Sequence, residues 1–176
     1  KIDKKLKSAD SAHSLSVCML ALGNLYMKHG EYENADRLYE KVIALRKQIL
    51  DGDDTDDHHK RYAEAILSRG TLMLLRGNGI EAKFLLGTAK NIFLDLTEKN
   101  GTIELQHICS ETLNRYANVC KEEGDIQGAL FYYTDSLKRK KKILSHIRTS
   151  EMVYEYAHPQ FLRAKVYQAL YDNANA

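Results

Sequence analysis

The stretch of this sequence with the strongest metal-ligand character is "DGDDTDDHH", Asp51 to His59, which holds five aspartates and two histidines. A calcium loop needs carboxylates at alternating positions, a glycine at the sixth position and a glutamate at the twelfth. Counted from Asp51, the sixth residue is Asp56 and the twelfth is Tyr62, so the motif fails. We interpret the stretch as a solvated loop between helices and expect neither a metal nor a cofactor. A metal site of another kind is the open alternative.

A basic run, "KRKKK" from Lys138 to Lys142, has the composition of a nuclear-import or nucleic-acid patch. Successive helical residues are rotated by about 100°, so five basic side chains would spread around a helix and not form one stripe. Positive charge near a helix C terminus also complements the helix dipole. We interpret the run as a solvated helix end, with a functional basic patch as the alternative. The net charge of +2 gives no overall reason to expect a nucleic-acid partner.

The three cysteines, Cys18, Cys109 and Cys120, form no Cys-x-x-Cys pair and are expected to be small buried hydrophobic residues. Unpaired thiols favour a reducing compartment, so we expect a cytoplasmic protein, with cytoskeletal or ciliary association left open. No apolar run approaches the roughly 20 residues that cross a membrane. The sequence contains no nucleophile elbow, phosphate-binding glycine loop or His-Glu-x-x-His motif. We therefore do not expect an enzyme.

The elements that would position any site are set by a 47-residue repeat. One proline, no tryptophan and many Leu, Ala, Lys and Glu residues predict an all-α chain. When the sequence is aligned with itself at a spacing of 47 residues, equivalent positions form columns with one residue from each of three repeats. One column holds only glycine, one holds only alanine, and one holds small residues. These columns are Gly30, Gly77 and Gly124; Ala35, Ala82 and Ala129; and Gly23, Gly70 and Ala117.

Each repeat predicts an antiparallel helix pair that turns at its second glycine. Glycine is favoured just past a helix end because it adopts the left-handed conformation without a Cβ penalty. Asp125 suits the N-cap of the next helix. The other small residues are predicted to lie where two helices approach closely. We expect longer connections near residues 51 to 57 and 98 to 102, and second helices that continue through "KQIL" and "KKIL".

The segment from Leu22 to Ile43 resembles the tetratricopeptide repeat. The residues that carry the resemblance are Leu22, Gly23, Tyr26, Gly30, Tyr32, Ala35 and Tyr39. It implies a right-handed α-solenoid, and the long unit is similar to those of kinesin light chains and related adaptors. We expect one domain over residues 1–176, with units at about 9–56, 57–101 and 102–148 and a partial fourth at 149–176. His158 and Pro159 are similar to the turn between units in that group. Because the chain opens on Lys1, it is left open that it is a piece of a longer protein.

The resemblance also implies a concave groove lined by the first helix of each unit, where residues spaced i, i+3, i+7 and i+10 share a face. The predicted groove residues are Val17, Leu20, Asn24, Met27, Glu64, Leu67, Thr71, Leu74, Glu111, Asn114, Arg115, Asn118 and Lys121. We expect this adaptor surface to bind a peptide or a partner helix, with the asparagines exposed and bonded to the ligand backbone.

Several alternatives stay open at this stage. A chaperone-tail receptor of the same family would hold a C-terminal carboxylate, and Asn24, Asn118 and Arg115 fit that pattern, but Leu20 stands where its lysine should be. A structural spacer in a ciliary or motor complex would need no groove. A groove filled by the protein's own helices or by neighbouring domains is a further alternative, and self-association is another. No membrane insertion is expected.

Overall fold

The computed structural model describes residues 2–147 and 149–174, and these residues form seven α-helices and no strand. The helices are α1 Ile2–Lys28, α2 Tyr32–Gly52, α3 Asp56–Leu75, α4 Gly79–Lys99, α5 Ile103–Glu122, α6 Ile126–Leu144 and α7 Ser150–Ala174. The predicted all-α class and the helix pairs are confirmed. The right-handed superhelix stays a prediction.

The three predicted glycine turns are confirmed. Gly30, Gly77 and Gly124 have φ values of 79°, 74° and 82°. In each turn the glycine N–H bonds the carbonyl three residues back, and the next N–H bonds the carbonyl five residues back, as in Glu31 N to Tyr26 O at 2.9 Å. This is the Schellman pattern that glycine stabilises at a helix C terminus. The predicted Asp125 cap is also present, because its Oδ1 accepts from the Gly128 N–H at 2.9 Å.

The expectation of longer connections between pairs is wrong. Residues 53–55 and 100–102 are the whole connections, and they are no longer than the turns at 29–31 or 76–78. The additional residues of each unit lie in the helices, which reach 19 to 27 residues. Pro159 is likewise not at a turn, since it lies inside α7 with its side chain buried.

The small residues of the repeat allow close helix packing, as predicted. A Cβ placed on Gly23 in α1 would lie 2.8 Å from Tyr39 Cε1 in α2. A Cβ on Gly70 in α3 would lie 2.9 Å from Leu86 Cγ in α4. Ala117, in the same column, is fully buried. The tightness of these contacts explains why each column position holds glycine or alanine.

The chain divides into an N-terminal half, Lys1–Ile92, and a C-terminal half, Phe93–Ala176, each with its own buried side chains. In the C-terminal half, Val166 of α7 packs in one cluster with Ala129, Leu130 and Tyr133 of α6. The single-domain organisation stays a prediction.

Cys109 and Cys120 are buried as expected, but Cys18 is exposed, because it lies on an outer face of α1. The prediction for that thiol was wrong.

Candidate functional site

The predicted groove residues of the N-terminal half lie on α1 and α3, the first helices of their pairs. Val17 and Asn24 are exposed. The other six, all half-buried, are Leu20, Met27, Glu64, Leu67, Thr71 and Leu74. A half-buried row of mixed apolar and polar side chains is the composition expected of a peptide-contacting helix face. Whether these residues form one groove stays a prediction.

Asn24 is held by a tyrosine of the opposite helix, which the sequence analysis did not foresee. The Tyr39 hydroxyl donates to Asn24 Oδ1 at 2.7 Å, and Met27 Sδ lies 3.7 Å from the same hydroxyl. The Tyr39 ring is fully buried, and burial raises the pKa of Tyr39 to about 12. Because Oδ1 accepts from the tyrosine, the amide is oriented and its Nδ2 N–H groups are left for a ligand. The expectation that this side chain bonds only to a ligand was therefore incomplete.

The third repeat has the same arrangement and the second lacks it. The Tyr133 hydroxyl donates to Asn118 Oδ1 in a short hydrogen bond, and burial raises the pKa of Tyr133 to about 12. In the second repeat the tyrosine column holds Leu86 and the asparagine column holds Thr71. The Thr71 hydroxyl donates to Leu67 O of its own helix at 2.7 Å. Tyrosine and asparagine thus occur together or not at all, a pairing that the 47-residue columns alone could have revealed.

In the C-terminal half, Asn114 on α5 is buried, and its Oδ1 has no hydrogen-bond partner among the described residues. Buried acceptors are almost always paired, so an unpaired one requires an explanation. Asn114 shares the predicted α5 face with Asn118 and Lys121, of which Lys121 is exposed. Because this oxygen is buried, the expectation that the groove asparagines are exposed is wrong for Asn114.

Glu111, also a predicted groove residue, is paired within its own helix pair. It accepts a short hydrogen bond from Lys140 Nζ and lies 3.7 Å from Arg115 Nη1. Burial alone would raise the pKa of Glu111, but the hydrogen bond and charge of Lys140, with Arg115, outweigh it and lower that pKa. Lys140 belongs to the basic run and is buried, whereas Lys138, Lys141 and Lys142 are exposed. The run therefore spreads around α6, as the helical rotation predicted.

A second group of charges, not predicted as a site, surrounds Arg69 of α3. Its guanidinium pairs with Asp36 at 2.7 Å and Glu40 at 2.8 Å, both on α2, and with Glu81 at 3.0 Å on α4. Arg76 lies 3.5 Å from Glu33 and Asp36. These contacts join α3 to its neighbours. Sequence spacing did not reveal them, because the α2 partners lie 29 or more residues from Arg69 along the chain.

Glu64 of the predicted groove likewise meets a buried cation. Arg46 of α2 is buried, and its Nη1 lies 3.5 Å from Glu64 Oε2 and donates to Arg61 O. Its Nε donates to the buried Ser16 Oγ at 3.4 Å. Burial lowers the pKa of Arg46 and the charge of Glu64 opposes that change. Glu64 therefore compensates the buried charge of Arg46, and it also lies on the face predicted to line the groove.

The aspartate-rich stretch is distributed over two helices and a short connection. Asp51 lies in α2 and pairs with Lys47 at 2.8 Å, and Asp57 in α3 pairs with Arg61 at 2.6 Å. The cap of α3 is Thr55, whose side chain accepts from the His58 N–H. Within the described residues no group of three or more His, Cys, Asp or Glu side chains is placed to hold a metal. The expectation of no metal or cofactor stays a prediction.

A cleft of about 370 Å³ lies between α6 and α7, away from the predicted face. Its lining residues are Gln127, Leu130, Phe131, Thr134, Asp135, Lys138 and Tyr167. Phe131 and Tyr167 are both exposed there. No helix of the described residues is both long enough and apolar enough to span a membrane.

Residues 15–60, which lie in α1, α2 and the start of α3, match the family model of the tetratricopeptide repeat. This segment is 46 of the 176 residues, and it is similar to a tetratricopeptide repeat. The match spans the Gly23 and Tyr39 contact and the Schellman turn at Gly30, and the second and third pairs repeat that turn geometry. The similarity to kinesin light chains stays a prediction, as does the incomplete carboxylate clamp.

No curated protein matches the chain significantly. Among solved structures, the N-terminal domain of stress-induced protein-1 from C. elegans is 16% identical, with 85% of this chain and 97% of that chain covered and a TM-score of 0.47. MamA protein is 16% identical, with 87% and 86% covered and a TM-score of 0.35. A de novo designed helical repeat protein is 12% identical, with 100% and 88% covered and a TM-score of 0.41.

Proposed function

We propose that the protein is a non-catalytic adaptor that binds an extended peptide on the first-helix faces of its tetratricopeptide repeats. The observation that carries this proposal is the Asn24 amide, exposed on α1 and oriented by the buried hydroxyl of Tyr39. A side chain fixed in this way loses little entropy when a ligand binds, which favours affinity. Its Nδ2 donors suit a peptide carbonyl, as in other modes of backbone recognition.

The neighbouring side chains complement this donor in the N-terminal half. Val17, Leu20 and Met27 of α1 and Leu67 and Leu74 of α3 supply apolar contacts on either side of Asn24 and Thr71. An extended peptide alternates its side chains, so apolar groups can contact these residues while backbone carbonyls meet the amide. The chemistry therefore favours a peptide with apolar side chains over a strongly charged one.

The C-terminal half has a more polar version of the same face. Asn118 repeats the oriented amide, because its Oδ1 accepts from the Tyr133 hydroxyl. Lys121 and Arg115 add positive charge, while Glu111 is already bonded to Lys140. We expect this half to prefer a polar or acidic peptide segment. Each half is tested with its own variant.

Selection from a phage-displayed library of random peptides tests the proposal, because no partner has to be known beforehand. Peptides are selected on the wild-type chain, and their affinities for the wild type and for the Asn24→Asp variant are measured by calorimetry. Asn24→Asp keeps the oxygen acceptor for Tyr39 and removes the N–H donors. Losing a hydrogen bond of this kind costs about 1 to 3 kcal/mol, so we expect roughly ten-fold weaker binding or more. Asn118→Asp makes the same test in the C-terminal half.

The matched control is Asn91→Asp, an identical change on the exposed surface of α4. It should leave binding unchanged, and all three variants should melt close to the wild type. Equal affinity of the selected peptides for wild type and Asn24→Asp would refute the proposed face. The spacer function would be favoured instead if the chain captured many subunits of one assembly from lysate and if Asn24→Asp and Asn118→Asp left that capture unchanged.

A further inference from the structure

A buried basic side chain of the N-terminal half differs from its equivalent in the C-terminal half in the carboxylate it meets. In the 47-residue register, Arg46 of α2 is equivalent to Lys140 of α6, and both are buried. Lys140 Nζ donates a short hydrogen bond to Glu111 on the first helix of its own pair. The residue equivalent to Glu111 in the first repeat is Val17. The position that supplies a carboxylate to Lys140 therefore supplies none to Arg46.

The surroundings of these two positions are otherwise similar. Ser16 and its equivalent Ser110 are both buried. Each serine hydroxyl donates to the carbonyl of a histidine three residues earlier, His13 at 2.8 Å and His107 at 2.7 Å. Arg46 Nε bonds Ser16 Oγ at 3.4 Å, so the guanidinium reaches α1 directly beside position 17. The first repeat thus has the histidine, the serine and the buried cation of the third, with valine in place of the carboxylate.

A small recess opens to solvent beside this cation, at the junction of α1, α2 and α3. Its lining residues are His13, Arg46, Ile49, His58 and Arg61. Its volume of about 10 Å³ admits one water-sized atom. Of these described lining residues four are basic and none is acidic. Such a recess suits one oxygen of an anion, because an anionic oxygen accepts strong hydrogen bonds from guanidinium and imidazole N–H groups.

The carboxylates around the recess compensate its positive charges only in part. Those within ion-pair distance of the lining residues are Asp53 on His58, Asp57 on Arg61 and Glu64 on Arg46, at 3.5, 2.6 and 3.5 Å. Burial lowers the pKa of Arg46, and the charge of Glu64 opposes this change without cancelling it. Burial and the charges of Arg61 and Arg46 also lower the pKa of His13. The electrostatic potential at the His13 ring is therefore positive, which favours an anion there.

We propose that this recess binds a carboxylate group of a ligand, with one oxygen placed beside Arg46 as Glu111 is placed beside Lys140. The ligand is either a free carboxylic acid or an acidic side chain of a peptide. His13 precedes Asn24 by eleven residues of α1, which corresponds to about 16 Å along the helix. The site is thus additional to the amide of the proposed function, and none of its lining residues belongs to the incomplete carboxylate clamp.

Acetate is the first probe, and the NMR signal of the His13 ring reports its binding, since this ring lines the recess. The signal is assigned through its loss in His13→Gln. When acetate replaces chloride at fixed pH and ionic strength, the signal should shift and saturate with a Kd on the order of 1 mM, because acetate makes few contacts. Absence of saturation at about 100 mM acetate, or an equal response to chloride, would overturn the proposal.

Val17→Glu tests the equivalence with Glu111, because it supplies the carboxylate from the chain itself. Val17 is 42% exposed, so the longer side chain can be accommodated. The variant should have a shifted His13 signal without acetate, no further response to acetate and a higher melting temperature. Val17→Gln, the matched control without the charge, should still bind acetate. Acetate binding by Val17→Glu at the wild-type affinity, or equal loss of binding in both variants, would refute the proposed position.

A second probe, glutamate blocked by N-acetylation and C-terminal amidation, distinguishes the two sources of the carboxylate. Tighter binding of the blocked glutamate than of acetate would support an acidic side chain of a peptide. Tighter binding of acetate would support a free carboxylic acid. These titrations use no selected peptide, so their failure would refute the carboxylate site and leave the proposed peptide face to be judged by its own variants.

Discussion

At the scale of single residues, the chain uses tyrosine to fix an asparagine. The pairing of Tyr39 with Asn24 and of Tyr133 with Asn118 explains why Leu86 occurs in the one repeat that has Thr71 in the asparagine column. Sequence analysis identified Asn24, Asn118 and Tyr39 but did not join them. The 47-residue columns show that tyrosine and asparagine occur in the same repeats, whereas only the structure shows that their polar atoms meet across two helices.

The buried tyrosines also predict how stability changes at high pH. Burial raises the pKa of Tyr39 and of Tyr133 to about 12, from 10.0 when solvated. Between pH 10 and 12 the unfolded chain loses these protons and the folded chain keeps them, so the free energy of unfolding falls as pH rises. One pKa unit corresponds to about 1.4 kcal/mol. We expect Tyr39→Phe with Tyr133→Phe to flatten this fall in urea titrations from pH 9 to 12.

The slope with pH is the relevant measurement, because the double variant also loses two hydrogen bonds and is less stable at neutral pH. Tyr154→Phe, at an exposed side chain of α7, is the control and should keep the wild-type slope. An unchanged slope in the double variant would show that other groups account for alkaline unfolding.

At the scale of helices, the sequence located the turns and the close contacts, since glycine and alanine are selected by local backbone geometry and packing. It also predicted that the second helices continue through Leu50 and Leu144, because no proline follows there to end them, and this is confirmed. Its expectation of longer connections was wrong, since residues 53–55 and 100–102 are only three residues each. It also missed the pairs that Arg46 and Arg69 make with distant residues. Long side chains reach partners on other helices, and no short-range pattern records such contacts.

The Schellman turns give a prediction that separates backbone from side-chain effects. Gly77 has φ of 74°, and a Cβ added there would have no atom within 4 Å, so Gly77→Ala introduces backbone strain without a clash. A left-handed alanine costs about 1 to 2 kcal/mol, which should appear as a lower midpoint in urea denaturation. Gly52→Ala is the matched control, since Gly52 also has open space but no positive φ, and it should be neutral or slightly stabilising. Equal effects of the two changes would refute the backbone explanation.

At the scale of the whole molecule, the two halves bury separate sets of side chains and use the same local contacts in each. The exposed Cys18 and Leu25 show where this repetition lacks a partner. The sequence alone predicted burial for Cys18, because a thiol within a helical pattern usually behaves as a small buried hydrophobic residue. In the described residues, no second helix of a preceding pair packs on that face of α1.

The final prediction concerns how free energy is distributed along the repeats. In repeat proteins, stability is approximately a sum of local terms, so a defect in one helix pair should stay local. Gly23→Leu places side-chain atoms where Tyr39 Cε1 lies only 2.8 Å from a Cβ, and overpacking of this kind typically costs about 1 to 3 kcal/mol or more. Native-state hydrogen exchange should then accelerate in α1 and α2 and stay unchanged in α6. Ala117→Leu, the equivalent change against Tyr133, should accelerate α5 and α6 and spare α1. If either variant accelerated exchange equally in both halves, the chain would unfold as one cooperative unit and its stability could not be assigned to separate helix pairs.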